Sequence, residues 1–338
     1  MPSYGARSTV TVEGLYVGVN TPPMLTQKYK DGEEVAQALP PYHPVDVYSV
    51  DEYPACEEGW DRGRPKVGSF FFPVVDRSGL WLDFTANQRH RHHVAVVVSV
   101  QGCNWRTTLP SEGIFLERYD EQCPKHKVAF GADRFCEPCG FKWPAQNYIS
   151  TTMTSPLWVD GWRRPGDTQI RQFFLTLEKR LGVAAAKLGD DRTFNIGVSF
   201  FLSRDPKPVE YTSLLRSASA GGFDYGPQSF GGFKGGGGTR GMSVNSGIGG
   251  SSRLRTLSAG PPVRRMEVGA GSIVKQAFDV DPKPLEFWNT EPAALFLLHY
   301  AHEDDVRRIL DAGKRAERAE GELDGLPVGD PPLTTTAQ

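Results

Sequence analysis

RQFFLTLEKRLGVAAAKLGDDRTFNIGVSFFL, residues 171–202, carries in one run the signals that decide the fold class. Gln169 to Leu175 reads as a strand, dense in apolar and aromatic residues. Thr176 is placed to cap a helix over Leu177 to Leu188, with Lys179 rather than Glu at its third position, and Gly189 ends it. Phe194 to Leu202 returns to strand. Elsewhere in the first 200 residues strand-like segments dominate: Thr9 to Val19, Gly68 to Val75, Leu80 to Phe84, Val94 to Val100 and Ile114 to Tyr119. Gly, Pro, Asp and Asn punctuate them. Frequent short strands with few helices predict a β-rich α+β fold, an antiparallel sandwich or open barrel-like sheet, rather than a series of βαβ units.

The 338 residues have room for one large domain or two ordinary ones, and for a core that needs no disulfides. A net charge of -2 gives no overall bias toward nucleic acid or a membrane surface. Val94 to Val98 and Ala293 to Leu298, the longest apolar stretches, are far short of a bilayer span, and no membrane partner is expected. The amino terminus lacks the basic start and apolar run of a secretory signal. Five cysteines, an odd number with three clustered and Cys56 and Cys103 isolated, do not make a disulfide framework, so a reducing, cytoplasmic setting is expected.

Composition divides the chain. Residues 1–216 are expected to form a β-rich domain, and 217–260 a flexible Gly/Ser-rich insertion, since glycine offers no side chain to bury and loses most entropy on ordering. That insertion carries Lys234, Arg240, Arg253 and Arg255 among Phe223, Tyr225, Phe230 and Phe233, a mixture able to bind single-stranded nucleic acid by phosphate contact and stacking. A soluble tether is the simpler reading. Residues 261–319 are expected to complete the fold with a buried strand, Ala293 to Tyr300, and a helix in HEDDVRRILDAGKR whose Val306, Ile309 and Leu310 share a face. Residues 320–338 are expected to be a disordered tail. DPKPVEY at Asp205 to Tyr211 recurs as DPKPLEF at Asp281 to Phe287, which suggests that the two make the same local exit from a strand.

CPKHKVAFGADRFCEPCG, residues 123–140, concentrates the soft ligands. Cys123 and His126 form CxxH, Cys136 and Cys139 form CxxC, and the nine residues between the pairs suffice for a hairpin that brings two tight turns to one ion. CEPCG, with Gly140 directly after the second cysteine, resembles the knuckles of zinc-ribbon and rubredoxin-like sites, with His126 where cysteine is more usual. The resemblance covers residues 123–140 only. Three thiolates and an imidazole favour Zn2+, and four protein ligands leave no open position, so a structural metal is expected.

RHRHH, Arg89 to His93, is the other concentration of histidine; an exposed basic turn is the simpler reading, metal binding or pH sensing the alternative. No GxSxG, HExxH, P-loop or GxGxxG motif is present. Cys103 paired with a histidine of residues 89–93 is the one arrangement that suggests an enzyme. Trp143, Tyr148, Trp158 and Trp162, with Arg163 and Arg164, either line a recognition surface or pack the metal loop onto the sheet. The expected role is a non-catalytic structural or protein-binding component, acting with a protein partner or by self-assembly; an enzyme near Cys103 and a nucleic-acid binder through residues 217–260 are the alternatives.

Overall fold

A computed structural model describes residues 8–38, 42–111, 115–163, 169–208 and 262–324, side chains of 316–324 apart. The Ser217 to Gly260 insertion and residues 325–338 lie outside the described residues. Strands follow in chain order as β1 (Thr9–Val12), β2 (Leu15–Asn20), β3 (Tyr29–Lys30), β4 (Glu33–Glu34), β5 (Tyr48–Ser49), β6 (Val67–Val74), β7 (Gly79–Asp83), β8 (His92–Val100) and β9 (Cys103–Asn104). Next come β10 (Phe135–Cys136), β11 (Phe141–Lys142), β12 (Tyr148–Ser150), β13 (Trp158–Val159), β14 (Gly161–Arg163), β15 (Ile170–Thr176) and α1 (Val183–Leu188). The long β16 (Asn195–Pro206), β17 (Glu267–Val274), β18 (Ala294–His302) and α2 (Glu303–Asp324) complete the order.

Two seven-stranded sheets carry the fold, one running β1-β2-β7-β15-β14 with β13 and β17 attached, the other β12-β8-β16-β18-β6-β5 with β9 attached. Neither closes into a barrel. Their facing sides share one core: Leu15, Val17, Leu80, Leu82, Phe173 and Val268 from the first sheet meet Phe72, Val96, Val98, Val198, Phe200 and Phe296 from the second. The strand pairs are antiparallel except β18 with β6, which run parallel over Leu295↔Val67 to His302↔Val74.

Strand β8 explains why the sequence shows an unbroken apolar run there rather than alternation. Val94, Val96, Val98 and Val100 enter the intersheet core, while Ala95 and Val97 lie beneath Tyr148, Phe201 and Trp288 on the other face. A strand covered on both sides needs apolar residues at every position. The opposite end of the same sheet is covered by α2, whose Val306 and Ile309 pack with Trp60, Phe71 and Ala301, as the expected apolar face requires. Its first turn is held by Arg264, which donates to Asp305 from its backbone N–H and Nε, both at 2.9 Å.

Several boundaries differ from expectation, each for a local reason. Thr9 to Val19 is a hairpin rather than one strand, because Glu13 and Gly14 turn the chain at φ 52° and 75°. Phe115 to Tyr119 makes only an isolated bridge, Arg118 to Gln146: the Asn147 amide takes the ladder's place, donating to the Phe115 carbonyl and accepting the Glu117 N–H. The helix expected from Leu177 shrinks to Val183–Leu188 after a 3-10 turn, because Gly182 runs beside Gly269, where a Cβ would lie 2.7 Å from the Glu267 carboxylate. Helix α2 continues past Ala319 to Asp324. The two DPKP stretches differ: Asp281 is buried and accepts from Ser150 and Thr152, whereas Asp205 is exposed.

Two buried titratable groups give stability opposite pH dependences. Burial, reinforced by the Arg265 charge, holds His299 down at about 4, where its ring stacks on Trp60 at 4.8 Å. Burial lifts the Asp160 carboxyl to about 7. A depressed histidine contributes stability that is complete above its ordinary 6.5 and is lost as pH falls toward 4. A raised carboxyl contributes below its ordinary 3.8 and loses that contribution as pH rises through 7. Substituting His299→Phe therefore removes the rising limb. The difference in urea-unfolding free energy between wild type and variant should shift in favour of wild type by roughly 2–3 kcal/mol from pH 4.5 to pH 7; a difference independent of pH would show that His299 is not held neutral.

Candidate metal centre

Both ligand pairs sit on turns built to one plan. In the first, Gln122 and Ala129 form an antiparallel bridge, Cys123 N–H donates to the Val128 carbonyl at 2.8 Å, and Lys127 N–H returns to the Cys123 carbonyl at 2.8 Å. In the second, β10 pairs with β11, and Gly140 N–H returns to the Cys136 carbonyl at 2.9 Å. The residue four after each leading cysteine has positive φ, 56° at Lys127 and 69° at Gly140. This left-handed residue reverses the chain and leaves both side chains of the pair on the inside of the turn. The backbone N–H of His126 also points at Cys123 Sγ, at 3.4 Å.

The four side chains converge, their ligand atoms all within 4.8 Å of one another. His126 presents Nδ1 to the sulfurs, 3.8 Å from Cys123, 3.7 Å from Cys136 and 3.1 Å from Cys139, and Cys123 and Cys139 are 3.6 Å apart. A tetrahedron with metal–sulfur bonds of ~2.3 Å and metal–nitrogen bonds of ~2.0–2.1 Å has edges of about 3.5–3.8 Å. Three of these four separations fall on those edges, and the Cys139 contact is the tighter one. The group can hold a metal ion.

Electrostatics favour a cation there. Burial opposes ionisation of Cys123, but hydrogen bonds from the His126 backbone and from the Cys136 and Cys139 thiols outweigh it and lower its pKa. Burial, with the adjoining Cys136 and Cys123 sulfurs, pushes Cys139 up to about 11. Crowded thiols cannot all ionise unless positive charge is placed among them.

The turns rest on a small core of their own, Tyr119, Cys123, Cys136 and Trp143 with Phe130 and Phe141 around them. Tyr119 and Trp143 meet edge to face at 5.2 Å. Arg163 ties the unit to the sandwich by donating from Nη2 to the Lys142 carbonyl at 3.1 Å. Trp143, Tyr148 and Trp162 are buried and pack rather than line a surface, whereas Trp158 is half-buried; Arg164 lies outside the described residues.

The other sequence candidates are not brought together. Cys103 is buried in the intersheet core and burial pushes its thiol up to about 11. It pairs with Val100 at one end of β8, whereas His92 begins the other, about 25 Å away at the rise of an extended strand. The histidines of residues 89–93 join no metal-competent group among the described residues: His92 Nδ1 contacts the Ser203 carbonyl at 2.9 Å, and His93 contacts Thr151 Oγ1 at 3.4 Å and packs on Phe287. Compared with family models, with curated proteins and with solved structures, the chain matches none.

The shared turn plan makes an asymmetric prediction, because one left-handed position is glycine and the other lysine. An added Cβ at Gly140 meets nothing within 4 Å, so Gly140→Ala costs only the backbone conformation, about 1 kcal/mol. Lys127→Gly relieves the same strain and should leave stability unchanged or raise it by up to ~1 kcal/mol. Urea unfolding of both variants checks this, and a Lys127→Gly chain as destabilised as Gly140→Ala would contradict the equivalence of the two turns.

Proposed function

We propose that the protein is a non-catalytic structural or protein-binding component in which Cys123, His126, Cys136 and Cys139 hold one structural Zn2+. The observation that carries this reading is the convergence of four protein ligand atoms within 4.8 Å of one another, with three of their separations at 3.6–3.8 Å, close to tetrahedral edges, a set that would leave no coordination position for water or substrate. Thiolate-rich ligation with one imidazole suits zinc above harder ions. Such an ion staples residues 123–140, which bury little apolar surface of their own, into a rigid projection beside the sandwich. Reduced thiols require a reducing compartment, for which the cytoplasm is the natural candidate; all five cysteines are free. No helix among the described residues is long and apolar enough to cross a membrane.

Within this reading the rigid projection and the sheet faces serve a protein partner or self-assembly. The separation of Cys103 from residues 89–93 supports this reading over an enzyme built on those residues. Metal analysis of tag-free protein prepared in reducing, chelator-free buffer should find about one zinc per chain. Cys136→Ser and His126→Ala should both lower zinc content and raise proteolytic cleavage between Asp120 and Trp143, with far-ultraviolet dichroism of the sandwich retained. Full zinc retention in His126→Ala would overturn the ligand assignment. Mass measurement in solution tests the assembly role, with a defined homo-oligomer or stoichiometric protein complex expected; salt-sensitive nucleic-acid binding lost on deletion of 217–260 would favour the nucleic-acid alternative instead.

A further inference from the structure

Beside the knuckle lies a cavity of about 230 Å³ whose lining includes Arg106, Arg134, Arg163, Gln276 and Phe278. The three arginines come from unrelated parts of the chain. Arg106 follows β9, where Asn104 Oδ1 accepts the N–H groups of Arg106 and Thr107 at 3.0 and 3.1 Å and so fixes the turn. Arg163 ends β14, and its N–H donates to the Trp105 carbonyl at 3.1 Å, which brings it alongside Arg106. Arg134 belongs to the loop between the ligand pairs, where its carbonyl accepts the Trp143 N–H at 3.0 Å.

Arg106 is the anomalous member. It is 4% exposed, its Nη1 donates to the Tyr148 carbonyl at 2.8 Å, and its buried Nε has no acceptor among the described residues. Burial first, then the like charge of Arg163, draw its pKa down to about 9, so it remains cationic at neutral pH. A buried guanidinium is ordinarily matched by a carboxylate. Here no carboxylate among the described residues pairs with Arg106, and two more guanidiniums stand at the same cavity: Arg134, which donates to the Tyr119 carbonyl and pairs with Asp120 at 3.5 Å, and Arg163, which donates to the Lys142 carbonyl. Converging cations around a space are an arrangement that an anion completes.

We propose that this cavity binds a phosphate group, as free phosphate or a phosphomonoester, between Arg106, Arg134 and Arg163. A tetrahedral oxyanion offers acceptors in several directions to donors arriving from three segments, whereas a carboxylate offers two oxygens in one plane. Phe278, with the Arg106 guanidinium 5.4 Å from its ring centroid, forms an apolar side to a pocket that holds a single such group. The site does not depend on which metal the knuckle holds. Arg134 nonetheless moves with the knuckle, so loss of the metal should weaken the anion site as well.

The test is calorimetric titration of the full chain, purified without chelator, with inorganic phosphate and separately with phenyl phosphate, against sodium chloride at matched ionic strength. The expected result is one site per chain for inorganic phosphate, with a rise in unfolding temperature that chloride does not reproduce. Binding of phenyl phosphate in addition assigns the site to a phosphorylated ligand, and binding of the inorganic ion alone assigns it to free phosphate. Arg106→Gln should weaken binding at least tenfold. Because Arg106 also holds the Tyr148 carbonyl, Arg134→Gln and Arg163→Gln, at half-buried positions, carry the same tenfold expectation independently of whether Arg106→Gln folds. Absence of binding in wild type, or unchanged affinity in folded Arg134→Gln and Arg163→Gln, would overturn the proposal.

Discussion

Burial of β8 on both faces is the constraint from which the rest of the structure follows. One face supplies four valines to the intersheet core, and the other seats Tyr148, Phe201 and Trp288. Because β8 pairs with β9 and β12 along the edge opposite β16, it sets both the turn that carries Arg106 and the Tyr148 carbonyl that receives it. Residues 117–143 leave and rejoin the sheet beside β12, where Tyr119 N–H reaches the Ala145 carbonyl and Asn147 N–H reaches Glu117. The position of the knuckle is therefore inherited from the central strand.

Stability within the knuckle has a different source. Its core holds two cysteines and a few aromatic rings, too little apolar surface to offset the entropy of ordering so polar a loop. In the zinc reading proposed above, metal–ligand bonds supply that difference, and the two matched turns deliver the ligands with a single conformational device used twice. Aromatic packing of Trp143 against Tyr119 and Phe141 then transmits the order of the metal site toward the sheet.

Strands with one unbroken or alternating apolar pattern were legible from the sequence: β6, β7, β8, β15, β16 and β18 fall where Val, Phe and Leu concentrate. Strand β17, EVGAGSIV, was not, because at Gly269 its contribution is the absence of a side chain: a Cβ there would lie 2.4 Å from the Phe174 ring. Close approach of that kind is a property of the partner strand, nearly a hundred residues away. The same distinction separates the two sites. Ligand spacing in CxxH and CxxC is local and could be read directly, whereas nothing in CNWRTT marks Arg106 as a buried cation. Its surroundings are assembled from Tyr148, Arg163 and Arg134, of which Tyr148 and Arg163 stand out in the sequence only as parts of an aromatic- and arginine-rich stretch.

Zinc K-edge absorption spectroscopy of the stoichiometrically loaded, reduced protein reads the donor set around the metal itself and so decides whether Cys123, His126, Cys136 and Cys139 hold it. A four-coordinate shell of three sulfurs at ~2.3 Å and one imidazole nitrogen at ~2.0–2.1 Å is expected. A shell of nitrogen and oxygen alone, or one in which a water oxygen replaces the imidazole, would contradict that assignment.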